Sequence, residues 1–95
     1  MKIKVHYISL VKSYTKTSQE EFNVAECSVL SDVLNNIADK YGKPFTQEVY
    51  DPQCHEMKST FVAMVNGVHM DQLKGPNTPL KDGDNVILMS LMTGG

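Results

Sequence analysis

Residues 28–42 read SVLSDVLNNIADKYG, and this stretch decides the fold. Val29, Leu30, Val33, Leu34, Ile37, Ala38 and Tyr41 recur at helical spacing and form one apolar stripe. Asn35, Asn36 and Asp39 fall on the opposite face. Ser28 suits the N-cap, where its hydroxyl can accept from an orphan N–H of the first turn. Asp32 lies near the positive end of the helix dipole and Lys40 near the negative end. Gly42 is the natural C′ residue, and Pro44 opposes continuation. The stretch predicts one amphipathic helix with a single face to bury.

Upstream, Ile3, Val5 and Tyr7 alternate with Lys2, Lys4 and His6, the period of a half-buried strand. At Ile8 the alternation slips, and Leu10 and Val11 follow, which suggests a bulge or the start of a turn. Lys12 to Glu20 is polar and reads as a loop. Glu21-Phe22-Asn23-Val24 alternates again, so the pair reads as an N-terminal hairpin.

Downstream, Lys43 to Ser59 has no clean period and reads as a long connection with room for one helical turn. Thr60 to Val65 is a dense strand. Asn66-Gly67 then separates it from Val68-His69-Met70, and Asn-Gly between apolar runs is a strong hairpin signal because a type I′ turn needs positive φ twice. Gly75 to Pro79 is irregular. Leu80-Lys81-Asp82-Gly83-Asp84 is a turn leading into Val86 to Met92, an almost unbroken apolar run. Such a run predicts an interior strand, covered on at least one face and paired on both edges. One helix must therefore cover a small mixed sheet whose first and last strands lie adjacent and parallel. That α+β arrangement is a β-grasp.

Composition narrows the functions. At 95 residues the chain supports one core. The split expected is a folded domain over residues 1–92 and a flexible Thr93-Gly94-Gly95 tail. A net charge of −2, with lysines placed singly, argues against a nucleic-acid partner. No run approaches the roughly 20 apolar residues of a membrane span, and the N-terminus lacks the pattern of a signal peptide. The expectation is a cytoplasmic protein with no membrane partner. Cys27 and Cys54 are widely spaced and lack the C-x-x-C pattern of a redox pair. Cys54-His55-Glu56 supplies adjacent ligands without a second pair, too few for a tetrahedral metal site, so no metal is expected. His6, His55 and His69 sit in unrelated segments. No nucleophile, base and orienting group stand out together, which argues against an enzyme acting alone. A β-grasp iron–sulfur ferredoxin would need four cysteines, and the chain has two.

The most distinctive chemistry lies at Gly94-Gly95. Glycines reach backbone angles closed to other residues and carry no bulk, so this end suits a narrow channel and a reacting terminal carboxylate. The plain alternative is an end where small residues collect. Leu91, Met92 and Met89 are candidates for gripping a partner, methionine being an adaptable contact; equally, they could fill the core behind the last strand.

Taken in order, the strand pair and the Ser28 to Gly42 helix, the Val65-Asn66-Gly67 hairpin, the Leu80 to Asp84 turn and the terminal Gly94-Gly95 resemble the ubiquitin-like sulfur carriers of the MoaD and ThiS type. MoaD, the small subunit of molybdopterin synthase, is the closer pattern. Two departures are visible. Leu91-Met92-Thr93 precedes the glycines where MoaD members often carry prolines, and Phe45 to Lys58 is longer than in the shortest members. The resemblance implies that an adenylating enzyme of the ubiquitin-activating type spends ATP to activate Gly95, which a sulfur donor converts to a thiocarboxylate. It further implies a non-catalytic carrier that binds no cofactor and has Gly94 as part of its reacting tail. Leu91, Met92 and Thr93 become partner contacts, and a larger molybdopterin synthase subunit or another acceptor enzyme takes the sulfur. The resemblance leaves other outcomes open: a carrier for thiamine thiazole or tRNA thiolation, a modifier joined to lysines through Gly95, or a passive interaction domain.

Overall fold

The computed structural model describes residues 1–58 and 60–91. Strand β1 (Lys2–Tyr7) buries Ile3, Val5 and Tyr7 and exposes Lys2 and Lys4, as its alternation requires. The slip at Ile8 leads into a short helix, α1 (Leu10–Thr15), where a loop was expected. Val11 and Thr15, four residues apart, are the buried pair that holds it. Lys16 ends it in the left-handed conformation at φ 66. Strand β2 (Gln19–Asn23) then pairs antiparallel with β1 and begins two residues earlier than its apolar alternation indicated.

Helix α2 (Leu30–Tyr41) buries Leu30, Val33, Leu34, Ile37 and Ala38. Its cap differs from expectation. Val29, not Ser28, is the N-cap, and the Asp32 carboxylate accepts the Val29 N–H at 2.8 Å. The Ser28 hydroxyl instead donates to the Ala25 carbonyl at 2.6 Å. Gly42 closes the helix at φ 74, with its N–H on the Ala38 carbonyl at 2.8 Å. The chain then turns at once into α3 (Lys43–Glu48), where Pro44 stands in the first turn and costs no hydrogen bond.

A small antiparallel pair, β3 (Tyr50–Asp51) and β4 (Glu56–Met57), follows. Phe45, Val49 and Tyr50 are fully buried, so the segment without a clean period still extends the core. Strand β5 (Phe61–Val65) turns through Asn66-Gly67 into β6 (Val68–His69), with φ 52 and 85 at the two turn residues, as a type I′ hairpin demands. Short 3₁₀ turns over Met70–Gln72 and Gly75–Asn77 lead to the last strand, β7 (Asn85–Ser90).

The five-stranded sheet runs β2-β1-β7-β5-β6. β7 is parallel to β1 and antiparallel to β5, so both its edges are paired. The core lies between α2 and the sheet face bearing Ile3, Val5, Tyr7, Ala63, Val65, Val86 and Leu88. Three tethers fix the start of β7 against β1: Lys2 N–H to Asp82 Oδ1 at 2.7 Å, Gly83 N–H to the Lys2 carbonyl at 2.8 Å, and Lys4 N–H to the Asp84 carbonyl at 3.1 Å. This is the ubiquitin-like β-grasp.

Candidate functional site

The central strand places the site. Along β7, Val86, Leu88 and Ser90 point inward while Ile87 and Met89 are half-buried on the opposite face. The final run is therefore not core on both sides, and Met89 is not a core filler. Ladder partners share a face, so Ile87 lies with Met64 and His6, and Met89 with Val62. The result is an apolar stripe down the middle of the face away from α2. Val62 is only 7% exposed, yet it lies outside the helix-side core. Ile8, 42% exposed, prolongs the stripe and lines a shallow depression of about 650 Å³ with His6, Gln19 and Ile87.

Leu91 follows β7 and is 61% exposed. Its N–H donates to the Thr60 carbonyl at 2.7 Å, which carries the β5–β7 ladder one step beyond the Phe61–Ser90 pair. Leu91 stands beside a cleft of about 450 Å³ floored by Phe61, Val62 and Met70. Met57 and Pro76 also line it, and His55, Glu56, Lys58, His69 and Asp71 add polar groups. Of the expected partner contacts, Leu91 is thus an exposed apolar side chain at the end of a strand held on both edges. Met92, Thr93, Gly94 and Gly95 lie outside the described residues.

Ile8, Val62, Met64 and Ile87 were not singled out from sequence. Alternation along β1 and β7 carried the signal, but the unbroken apolar run over 86–92 concealed which face each residue takes.

The Cys54-His55-Glu56 cluster sits at the β3–β4 connection. Cys54 is exposed, and a hydrogen bond to the Asp51 carboxylate, together with its charge, pushes the thiol up. A raised thiol is a poor nucleophile at neutral pH. His55 turns away from any such cluster: its Nδ1 lies 3.2 Å from the buried Tyr50 hydroxyl. Burial pushes that phenol up to about 12. Cys27 is exposed and free. No group of three or more His, Cys, Asp or Glu side chains converges as a metal site among the described residues.

A second polar knot ties the hairpin to the helix. Tyr7 and Tyr41 donate to the same oxygen, Glu20 Oε2, at 2.5 and 2.6 Å, and Lys40 pairs with Oε1. Partial burial works to raise the Glu20 carboxyl. The donors from Lys40, Tyr41 and Tyr7 outweigh it and hold the group below the usual carboxylate range. The knot lies between β1, β2 and α2, where it fixes the hairpin on the helix.

A five-stranded sheet in the order β2-β1-β7-β5-β6 with α2 packed on one face places the chain in the ubiquitin-like β-grasp class. The chain belongs to the ThiS family, whose model matches residues 5–95. No curated protein sequence matches it. Among solved structures it is similar to a putative molybdopterin converting factor, subunit 1, from Pyrococcus furiosus (24% identity, TM-score 0.77), with 97% of this chain and 99% of that one covered. It is similar also to small archaeal modifier protein 1 from Methanosarcina acetivorans (22%, TM-score 0.78; 99% and 96% covered). The BexX/CysO complex from Amycolatopsis orientalis contains a chain of the same fold (14%, TM-score 0.73; 98% and 99% covered). At these identities the likenesses establish the fold. No helix among the described residues is long and apolar enough to cross a membrane.

Proposed function

We propose that this chain is a sulfur carrier whose Gly95 carboxylate is the reacting group, acting in molybdopterin synthesis. The observation that carries the reading is the family match running to residue 95, together with a central strand followed by the exposed Leu91. A free carboxylate is a poor acyl donor, because its negative charge repels nucleophiles. An adenylating enzyme joins it to AMP from ATP, releasing pyrophosphate. Hydrosulfide, or a donor delivering sulfur at that oxidation level, then attacks the acyl carbon, the bond to AMP breaks, AMP leaves, and a thiocarboxylate remains. Its sulfur is a strong nucleophile, in line with thiolates generally.

In this reading the chain binds no cofactor and is not itself an enzyme; ATP is consumed by its partner. Gly94 and Gly95 place no Cβ beside the reacting carbonyl. Leu91, Met92 and Thr93 lie along the route into the partner's active site, and the stripe of Ile8, Met64, Ile87 and Met89 is the surface that an adenylating enzyme or a larger synthase subunit would cover. Complementary apolar surface of this kind is the ordinary core of such interfaces. A carrier of this type works where ATP and reduced sulfur are available, which favours the cytoplasm.

The likeness to a small archaeal modifier supports a second reading, in which the activated Gly95 is passed to a lysine amine as an isopeptide. Adding one residue after Gly95 tests the shared step. The extended chain should keep its stability and lose acyl-adenylate formation with its host's activating enzyme. An extended chain that is adenylated and active as before would overturn both readings. Conjugates that depend on Gly95, without any thiocarboxylate, would favour the modifier.

A further inference from the structure

His69 ends β6 and caps the 3₁₀ turn Met70–Gln72, its Nδ1 accepting the Asp71 N–H at 3.1 Å. A ring nitrogen accepts only while it carries no proton, so this bond requires the neutral imidazole protonated on Nε2. The Asp71 carboxylate stands 3.8 Å from the same Nδ1. The ring forms part of the cleft beside Leu91. The other titratable groups there are His55, Glu56 and Lys58 from the β4 side and Asp71 from the turn itself. β5 and the Gly75–Asn77 turn contribute neutral side chains only.

The two cleft histidines respond differently to acid. The Tyr50 hydroxyl donates to Asn35 Oδ1 at 3.2 Å, which leaves His55 Nδ1 as the donor to the Tyr50 oxygen. A second proton on His55 leaves that bond intact. On His69 it must break the cap, because the lone pair that accepts the Asp71 N–H is the one that takes the proton.

We propose that His69 is a pH-sensitive pin in the wall of the cleft at the end of β7. When neutral it holds the Met70–Gln72 turn. When Nδ1 takes a proton from solvent, the Asp71 amide is released, the ring turns to the Asp71 carboxylate, and the wall that a partner meets beside Leu91 changes. The use of the cleft by a partner rests on the carrier reading; the switch belongs to the free chain and stands apart from it.

The test is an NMR titration of the whole chain without partners, following the His69 ring and the Asp71 amide. The expected result is one shared midpoint, with Asp71 exchange faster by about fivefold after correction for the intrinsic rate, the effect of losing one ordinary hydrogen bond. His69→Asn, whose amide oxygen accepts without titrating, should keep the turn and remove the transition. His55→Asn should leave the transition in place. An Asp71 amide that stays fixed while the His69 ring titrates would overturn the proposal, as would a transition that persists in His69→Asn. Neither outcome depends on whether Gly95 is ever activated.

Discussion

The amide of Leu91 is tied to the carbonyl of Thr60 at 2.7 Å, so the segment that follows β7 starts from a backbone held by β5. The side chain of the same residue stands mostly in solvent. One residue therefore combines a fixed backbone with a free apolar group, and the two contributions can be separated by mutation.

Leu91→Ala keeps the amide donor and removes the exposed side chain. Stability should change by no more than about 0.5 kcal/mol, as for most surface substitutions. Docking to the activating enzyme should weaken by about 1–2 kcal/mol, the range of a modest interface anchor. The checks are a thermal melt and the KM for this chain in ATP–pyrophosphate exchange.

Leu91→Pro removes the N–H as well as the side chain. It should cost about 1 kcal/mol in stability for the lost bond to Thr60 and lower adenylation further than Leu91→Ala. Equal adenylation by the two variants would mean that the backbone anchor contributes nothing to presenting the tail.

Glu20 gives the fold an acid-sensitive joint. Its carboxyl titrates below its unfolded value, so its stabilising contribution is fully present above the unfolded pKa of about 4.3 and is lost as pH falls through the folded one. Glu20→Gln should flatten the acid limb of a stability–pH profile below about pH 4. Glu20→Ala should cost on the order of 2–3 kcal/mol at neutral pH, because the buried Tyr7 hydroxyl loses its acceptor. Urea melts at several pH values would show both effects.

Leu34 lies at the centre of the helix face and is fully buried. Leu34→Ala should destabilise the domain by about 2–5 kcal/mol through lost burial and a cavity. Gly67 sits at φ 85 with open space where a Cβ would go, so Gly67→Ala should cost only about 1 kcal/mol, the backbone strain alone. Equal costs at the two positions would contradict this account of the core.

The helix, the type I′ hairpin and the central last strand were legible because each carries a strong local signal: a sustained period, Asn-Gly, and a long apolar run. α1 was not, since Val11 and Thr15 make one helical pair and a single pair has no period. The cap moved from Ser28 to Val29 because the Ser28 hydroxyl donates to the Ala25 carbonyl, while the Asp32 carboxylate accepts the Val29 N–H and the Val29 carbonyl accepts the Asp32 N–H. Gly94-Gly95, on which the proposed chemistry rests, lies outside the described residues, and the exposed apolar face of the sheet was legible only in part. Leu91 was visible as a candidate, but the cleft beside it joins residues from 55 to 91 that share no local pattern.

The central claim concerns Gly95, and the most direct measurement is the intact mass of the chain purified from its own cells after rapid alkylation to trap thiocarboxylates. The account predicts a fraction carrying the alkyl group through sulfur, located on Gly95 in the C-terminal fragment. A chain found wholly unmodified, which also forms no acyl-adenylate with its host's activating enzyme and ATP, would contradict it.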